Sequence, residues 1–233
     1  GLTVLGSNAV NVSVGAGGAD TIRGGGGGDV ITAGGGDDRV DYRGGESSIA
    51  GGSGTNTLVM QAATTVDLGV GADQTIGDGV TVTGFVDVDA SALDSAHGIA
   101  LTGSSAANTL TGGAGDDTVD GAGGGDAIAT GGGADTVTHR GGEASIAAGT
   151  GTDTLILTAT SAVTGVDVGA GGASDQTTGD TATVTGFENV DGSAVAGALS
   201  LVGSNAANLL TGGSGGDTID GGAGNDTIDY WGT

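Results

Sequence analysis

The sequence lacks cysteine, proline and lysine, and aromatic residues make up only 2% of it. Without cysteine the chain forms no disulfides, and with only two histidines it has no ligand set for zinc or copper. The few aromatic side chains provide little apolar area, whereas the 56 glycines lose much backbone entropy on ordering. A conventional hydrophobic core is therefore not expected.

Positive charge is also scarce. The chain has 28 acidic residues and only four arginines, for a formal net charge of −24. The arginines are Arg23, Arg39, Arg43 and Arg140. No basic patch exists to meet phosphates, which excludes nucleic acid as a partner. Binding to anionic membranes is equally disfavoured, and no segment approaches the roughly 18 consecutive apolar residues of a membrane span. Self-repulsion of this size disfavours any compact state unless cations neutralise it.

What the sequence does contain is a nine-residue repeat. From Gly15 it reads GAGGADTIR, GGGGGDVIT and AGGGDDRVD, and the phase continues to residue 59. The pattern returns at 103–156 and again from residue 203, which makes fourteen phased nonapeptides. Position six is mostly Asp or Asn and position eight is aliphatic. A disordered acidic tail, the simplest alternative for this composition, would not place apolar residues at fixed intervals.

The sequence also contains a second repeat that is longer than the nonapeptide. Gly6-Ser7-Asn8 recurs after 97 residues and again after a further 100, and the segment 73–78 matches 175–180. The chain therefore divides into a first nonapeptide block (1–59), a spacer (60–102), a second block (103–156), a second spacer (157–202) and a third block (203–233). We expect one continuous solenoid that is a segment of a longer array. The spacers are expected to be solenoid coils without metal, with calcium sites around 73–78 and 175–180 as the alternative.

Each nonapeptide combines a six-residue turn with a three-residue strand. Apolar and polar residues alternate in the strand, so position eight points inward and its neighbours point outward. Two nonapeptides make one coil of 18 residues, and repeats n and n+2 then stack directly. Their sixth-position carboxylates would lie roughly 4.8 Å apart and repel each other. A hard cation with six to eight oxygen ligands removes the conflict, and Ca²⁺ is the best match.

Nonapeptides such as those at 112–120 and 221–229 fit the pattern GGxGxDxUx in full, where U is aliphatic. On these residues the chain resembles the repeat-in-toxin (RTX) family of calcium-binding repeats. The resemblance implies an all-β fold, a right-handed parallel β-roll or β-solenoid with Ca²⁺ in the turns, which is disordered without the metal. It also implies export by type I secretion, and hence an extracellular or cell-surface location.

The same resemblance makes the sixth positions candidate Ca²⁺ ligands, namely Asp20, Asp29, Asp38, Asp117, Asp126, Asp135, Asp153, Asp217, Asp226, Asn108 and Asn208. The stacking predicts the pairs Asp20 with Asp38, Asp117 with Asp135 with Asp153 and, as weaker pairs, Asn108 with Asp126 and Asn208 with Asp226. Asp29 faces Ser47 and Asp126 faces Ala144, which breaks the ladder at those points.

Two nonapeptides, YRGGESSIA and HRGGEASIA, lack the sixth-position carboxylate. We expect packing alone to hold their coils. His139, which occupies the position of Tyr42 in the first copy, is expected to be a surface or packing residue.

The predicted function is a non-catalytic, calcium-binding structural module of a secreted bacterial surface protein, a surface layer or adhesin, that folds and assembles on Ca²⁺. The segment Gly212–Gly216 fits the G-x-S-x-G pattern but lies in a calcium-type turn, so no nucleophile is expected. The alternative is an RTX accessory or secretion domain of a type I-secreted enzyme or toxin. The long repeat favours the structural module, because enzyme-linked RTX domains resemble single short blocks. Predicted partners are further copies of the chain, in filaments or a lattice, and a cell-surface glycan.

Overall fold

The computed structural model describes residues 1–171 and 174–230, and within them the chain is all-β. Residues 172–173 of the second spacer and 231–233 of the third block lie outside the described residues. The described part contains no helix long and apolar enough to cross a membrane.

Short strands follow one another along the whole chain. The first block contains β1 (Thr3–Leu5), β2 (Val12–Val14), β3 (Thr21–Arg23), β4 (Val30–Gly35), β5 (Arg39–Tyr42), β6 (Ser48–Ser53) and β7 (Thr57–Met60). The first spacer contains β8 (Thr65–Asp67), β9 (Thr75–Ile76), β10 (Thr81–Thr83), β11 (Asp87–Asp89) and β12 (Ala100–Thr102).

The second half repeats this order. From the second block come β13 (Thr109–Thr111), β14 (Thr118–Asp120), β15 (Ala127–Gly133), β16 (Thr136–His139), β17 (Ser145–Gly151) and β18 (Thr154–Leu157). The second spacer and third block supply β19 (Gly165–Asp167), β20 (Thr177–Thr178), β21 (Thr183–Thr185), β22 (Asn189–Asp191), β23 (Ser200–Val202), β24 (Leu209–Thr211), β25 (Thr218–Asp220) and β26 (Thr227–Asp229).

Within the blocks the strands pair in parallel with an offset of 18 residues. Ile128 in β15 lies beside Ile146 in β17, and Val137 in β16 lies beside Leu155 in β18. A parallel pair at this offset requires the chain to make one full circuit in two nonapeptides. The predicted β-solenoid with an 18-residue coil is therefore confirmed.

The strands form four sheets, parallel except for one pair in each of two sheets, on two faces of the solenoid. One face carries the nine-stranded sheet β1-β3-β5-β7-β11-β13-β15-β17-β21, followed by the four-stranded sheet β20-β19-β23-β25. The other face carries the four-stranded sheet β2-β4-β6-β10, followed by the nine-stranded sheet β9-β8-β12-β14-β16-β18-β22-β24-β26. Each spacer interrupts a different face, so strands that are equivalent in the two long repeats, such as β3 and β14, lie in opposite sheets. Equivalent turns of the two copies consequently lie on opposite edges of the solenoid.

The core is a row of aliphatic side chains from position eight of each nonapeptide. Ile22, Val40, Leu58, Leu110 and Val119 are all fully buried, whereas the threonines that flank them in the strands are partly or fully exposed. Burying one such side chain contributes about 1.5–3 kcal/mol, and every coil repeats the contribution twice.

The spacers differ from plain solenoid coils by one antiparallel strand each. In the first spacer β9 pairs antiparallel with β8, and in the second β20 pairs antiparallel with β19. A buried glutamine fixes each hairpin: the Gln74 side chain donates to the Phe85 carbonyl (2.8 Å) and accepts from the Phe85 N–H (2.9 Å). Gln176 makes the same two bonds to Phe187. The spacers depart from the nine-residue period, and the expectation of further solenoid coils there did not include these hairpins.

Candidate metal centre

The sixth-position aspartates form ladders along the edges of the solenoid. The backbone N–H of Asp117 donates to Oδ1 of Asp135 (2.8 Å), and the N–H of Asp135 donates to Oδ1 of Asp153 (2.8 Å). Asp20 and Asp38 are joined in the same way (2.8 Å). All five side chains are buried. The structure therefore brings together the residues of both predicted stacks.

The second oxygen of most of these carboxylates has no protein partner. Among the described residues, five buried Oδ2 atoms accept no hydrogen bond, those of Asp29, Asp38, Asp126, Asp135 and Asp153. An unpartnered buried polar group costs about 1–3 kcal/mol, and more when it is charged. Ca²⁺ prefers anionic and carbonyl oxygens, and these turns supply both. The unpartnered carboxylate oxygens thus fit a bound Ca²⁺.

The first glycine of each turn makes room for the carboxylate. A Cβ built on Gly24 would stand 2.5 Å from Oδ2 of Asp29, and a Cβ on Gly112 or Gly121 would collide with the carboxylate five residues later. At these three positions only glycine leaves space for the carboxylate, whereas Ala33, Thr130 and Ala148 occupy the same position before Asp38, Asp135 and Asp153. The glycines of the repeat therefore shape the carboxylate pocket as well as the turn.

The electrostatics of the ladders also favour a bound cation. Burial raises the pKa of Asp153 to about 6, and the nearby charges of Asp135 and Glu188 act in the same direction. Burial likewise raises the pKa of Asp126 to about 6, with a further contribution from Glu143. In both cases the hydrogen bond that the carboxylate accepts from a backbone N–H opposes this rise in pKa. The ionised form is thus disfavoured unless positive charge is brought in.

The described residues contain no cluster of three or more His, Cys, Asp or Glu side chains arranged to hold a metal ion. Each rung of a ladder supplies two carboxylates, so the remaining ligands would have to be backbone carbonyls and water. Such an all-oxygen, carbonyl-rich site suits Ca²⁺ and does not suit zinc.

Some predicted positions have weaker partners. The N–H groups of Asn108 and Asn208 donate to Oδ1 of Asp126 (2.9 Å) and Asp226 (3.0 Å). These rungs therefore combine one carboxylate with one amide. Asp217 accepts from the N–H of an aliphatic residue, and that rung lacks a second acid.

Asp29 has a ladder partner that the sequence analysis missed. The N–H of Asn11 donates to Oδ1 of Asp29 (2.7 Å), while Ser47 on the other side bonds only through its backbone and hydroxyl. Asn11 is the sixth residue of the nonapeptide GSNAVNVSV, which begins at Gly6 and lacks most of the expected glycines. The long period could have identified it, because it lies 97 residues before Asn108.

The expectation that packing alone holds the YRGGESSIA and HRGGEASIA turns is wrong. Glu143, the fifth residue of its nonapeptide, is buried and accepts the backbone N–H groups of residues 140, 141 and 142 at 2.8, 2.9 and 3.0 Å. Glu46 accepts two N–H groups in the equivalent turn. In these turns backbone donors neutralise a buried carboxylate that elsewhere requires a cation. Glutamate at position five of both turns is the sequence signal.

His139 is likewise an internal ion-pair residue and not a surface residue. Its side chain is fully buried between Glu143 (Nδ1 to Oε2, 2.7 Å) and Asp180 (Nε2 to Oδ2, 2.8 Å). Burial disfavours a charged imidazole, but the hydrogen bonds and charges of the two carboxylates outweigh it and raise the pKa of His139. The equivalent Tyr42 donates its hydroxyl to Asp78 (2.6 Å). Both residues fasten a spacer hairpin to the preceding block.

The alternative of calcium sites in the spacers stays a prediction, and the aspartates concerned also make hydrogen bonds within the protein. Asp73 accepts the N–H of Val82 (3.0 Å), and Asp78 accepts the N–H of Val80 (2.8 Å) and the Tyr42 hydroxyl. Asp175 in the second spacer accepts the N–H of Val184 (3.0 Å) in the same way. These bonds hold the hairpins, and those of Asp73 and Asp175 use only Oδ1.

Comparison with known proteins agrees with the geometry. A protein-family model described as the RTX calcium-binding nonapeptide repeat, in four copies, matches residues 14–49, 102–137 and 201–232. These residues contain most of the predicted ligands, and the family binds calcium. No curated protein is significantly similar to the chain.

Proposed function

Because the chain belongs, through these repeats, to the RTX calcium-binding family, we propose that it is a structural module of a secreted bacterial surface protein, in a surface layer or adhesin, that folds and assembles on Ca²⁺. The observation that carries the proposal is the set of buried sixth-position carboxylates, five of which have an Oδ2 without a hydrogen-bond partner among the described residues. The RTX β-roll itself is a non-catalytic repeat fold.

Ca²⁺, when bound, supplies positive charge and accepts several oxygen ligands. The chain supplies the rest of the mechanism. Backbone N–H groups from the neighbouring coil bind Oδ1 of Asp135 and Asp153, and the Oδ2 of each accepts no hydrogen bond from the described residues. Because every coil stacks on the last, neutralising one rung favours the next. Folding is then inseparable from metal binding, as in other small metal-dependent folds.

The extracellular setting follows from affinity and from the family. RTX repeats are typical of type I-secreted extracellular proteins. Sites built from two carboxylates and backbone carbonyls would bind Ca²⁺ with dissociation constants on the order of 10⁻⁴ to 10⁻³ M, the extracellular range. The module would therefore remain unfolded inside the cell and fold after export.

Self-assembly is the second part of the proposal. The outward face of β2 exposes Val12 and Val14 by 75% and 64%, and the equivalent positions of the second copy hold Thr109 and Thr111. Outward aspartates such as Asp229 on the same solenoid could be bridged by Ca²⁺ between molecules. Both contacts need the folded coil, so assembly should follow folding. Binding to a cell-surface glycan remains a prediction.

Light scattering against Ca²⁺ concentration, followed by electron microscopy, tests this proposal. We expect monomers in chelator, and filaments or sheets at millimolar-order Ca²⁺. The double variant Val12→Thr with Val14→Thr, which copies the second repeat, should assemble less while its calcium-dependent folding is unchanged. A chain that stays monomeric when saturated with Ca²⁺ would instead favour the accessory domain of an enzyme or toxin.

A further inference from the structure

The ladder of the second block does not end at its last nonapeptide. The backbone N–H of Asp153 donates to Oε2 of Glu188 (2.8 Å), which lies in the second spacer, 35 residues later. This is the same bond that each ladder aspartate makes to the carboxylate of the next coil. Glu188 therefore occupies the sixth-position place of a coil that has no nonapeptide.

The carboxylate that faces Glu188 has an unsatisfied oxygen. Asp153 is completely buried, and its Oδ2 accepts no hydrogen bond from the described residues. Within the same residues, Glu188 uses only Oε2 in a protein hydrogen bond, and its side chain is partly exposed. Two carboxylates one rung apart thus each retain an oxygen for a ligand that enters from solvent.

The first copy shows how the chain closes the same position without a metal. Asn56 and Val86 stand there in place of Asp153 and Glu188, and the backbone bonds between the two positions are equivalent in both copies. The amide of Asn56 donates to the carbonyl of Gly84 (2.9 Å). A carboxylate has no such donor, so the second copy has two carboxylates, Asp153 and Glu188, where the first copy has an amide–carbonyl bond.

From this pairing we propose that Asp153 and Glu188 form an additional Ca²⁺ site, which extends the ladder of the second copy into its spacer and is absent from the first copy. The inference rests on the proposed calcium-binding function. It lies outside the residues matched by the repeat family, which end at 137 in this block. Its consequence is that the two copies bind different numbers of ions, and that a metal fastens the second spacer directly to the second block.

Calcium stoichiometry by isothermal titration calorimetry, on the full chain, tests the site. Glu188→Gln keeps the size of the side chain and should lose one Ca²⁺ per chain. Asp153→Asn installs the residue of the first copy, so it should also lose the Asp153–Glu188 ion. Asp94→Asn removes one charge from an exposed spacer side chain and should bind as many ions as the wild type. Circular dichroism at saturating Ca²⁺ checks that each variant is folded.

A variant that gains the site tests the proposal even if the variants that lose it fail to fold. Asn56→Asp combined with Val86→Glu places both carboxylates in the first copy and should bind one Ca²⁺ more than Asn56→Asp alone, which changes only the rung to Asp38. Unchanged stoichiometry in Glu188→Gln, an equal loss in Asp94→Asn, or no gain of the double variant over Asn56→Asp alone would each overturn the additional site. If the wild-type chain binds no Ca²⁺ at all, the proposed function fails instead, so the two failures are distinguishable.

Discussion

Replacing Asp135 by asparagine should remove two bound ions without disturbing the ladder. Asparagine retains an oxygen that can accept the Asp117 N–H, and the backbone N–H of residue 135 still donates to Asp153. The carboxylate itself is shared between the rung to Asp117 and the rung to Asp153. Its loss therefore weakens both sites, whereas Asp29→Asn affects only the rung to Asn11.

The magnitude follows from binding linkage. One site contributes up to about 1.4 kcal/mol of unfolding free energy per tenfold rise in Ca²⁺, and about 2.7 kcal/mol at a hundredfold excess over its dissociation constant. Loss of two sites should lower the slope of unfolding free energy against Ca²⁺ by up to about 2.8 kcal/mol per tenfold change in Ca²⁺ concentration. At a hundredfold excess of Ca²⁺ over the dissociation constant, it should lower the unfolding free energy by about 5 kcal/mol. At low Ca²⁺ the difference should vanish or reverse, because asparagine removes a buried carboxylate flanked by two others.

Urea unfolding followed by circular dichroism, at several Ca²⁺ concentrations, measures these slopes. The plots of free energy against the logarithm of Ca²⁺ concentration should converge for Asp135→Asn and the wild type as Ca²⁺ falls. Parallel plots would mean that the substitution removes packing and not ions, which would refute the reasoning. Equal slope losses for Asp135→Asn and Asp29→Asn would show that the assignment of shared rungs is wrong.

Two further predictions concern the turns. The pKa of His139 is raised in the folded chain. Its ion pairs therefore stabilise the fold in full below the pKa of histidine in the unfolded chain, about 6.5, and this stabilisation is lost as pH rises through the pKa in the folded chain. The difference in Tm between wild type and His139→Gln at saturating Ca²⁺ should thus shrink as pH rises; a constant difference would contradict a charged imidazole. Gly133 has φ +119° and faces the backbone of the preceding coil, so Gly133→Ala should cost more than about 1 kcal/mol in urea unfolding. Gly125→Ala, in open space, should stay within about 0.5 kcal/mol, and equal costs would refute the steric argument.

The coil could be predicted because its determinants are local and repeated. Position eight is aliphatic in each clear nonapeptide and the turn glycines recur with it, so one period specifies both the inward row and the 18-residue circuit. The pairing of Asp117, Asp135 and Asp153 followed from that circuit alone. The same reasoning failed at Asn11, because its nonapeptide lacks the glycines that set the phase.

The spacers could not be predicted in the same way, because their contacts are not periodic. Gln74 reaches Phe85 across 11 residues, and His139 reaches Asp180 across 41. Neither separation is a multiple of nine, and each bond depends on how a hairpin folds back onto the solenoid. Glu188 was missed for the same reason, since the second spacer replaces the 18-residue offset by one of 35 residues.

The most direct test of the account is the far-UV circular dichroism of the chain in chelator and after addition of Ca²⁺. The account predicts mostly coil in chelator, because a net charge of −24 and five unpartnered buried carboxylate oxygens oppose the fold. Adding Ca²⁺ to millimolar-order concentrations should restore the β signal cooperatively. A full β signal in excess chelator would contradict the claim that calcium binding and folding are one process.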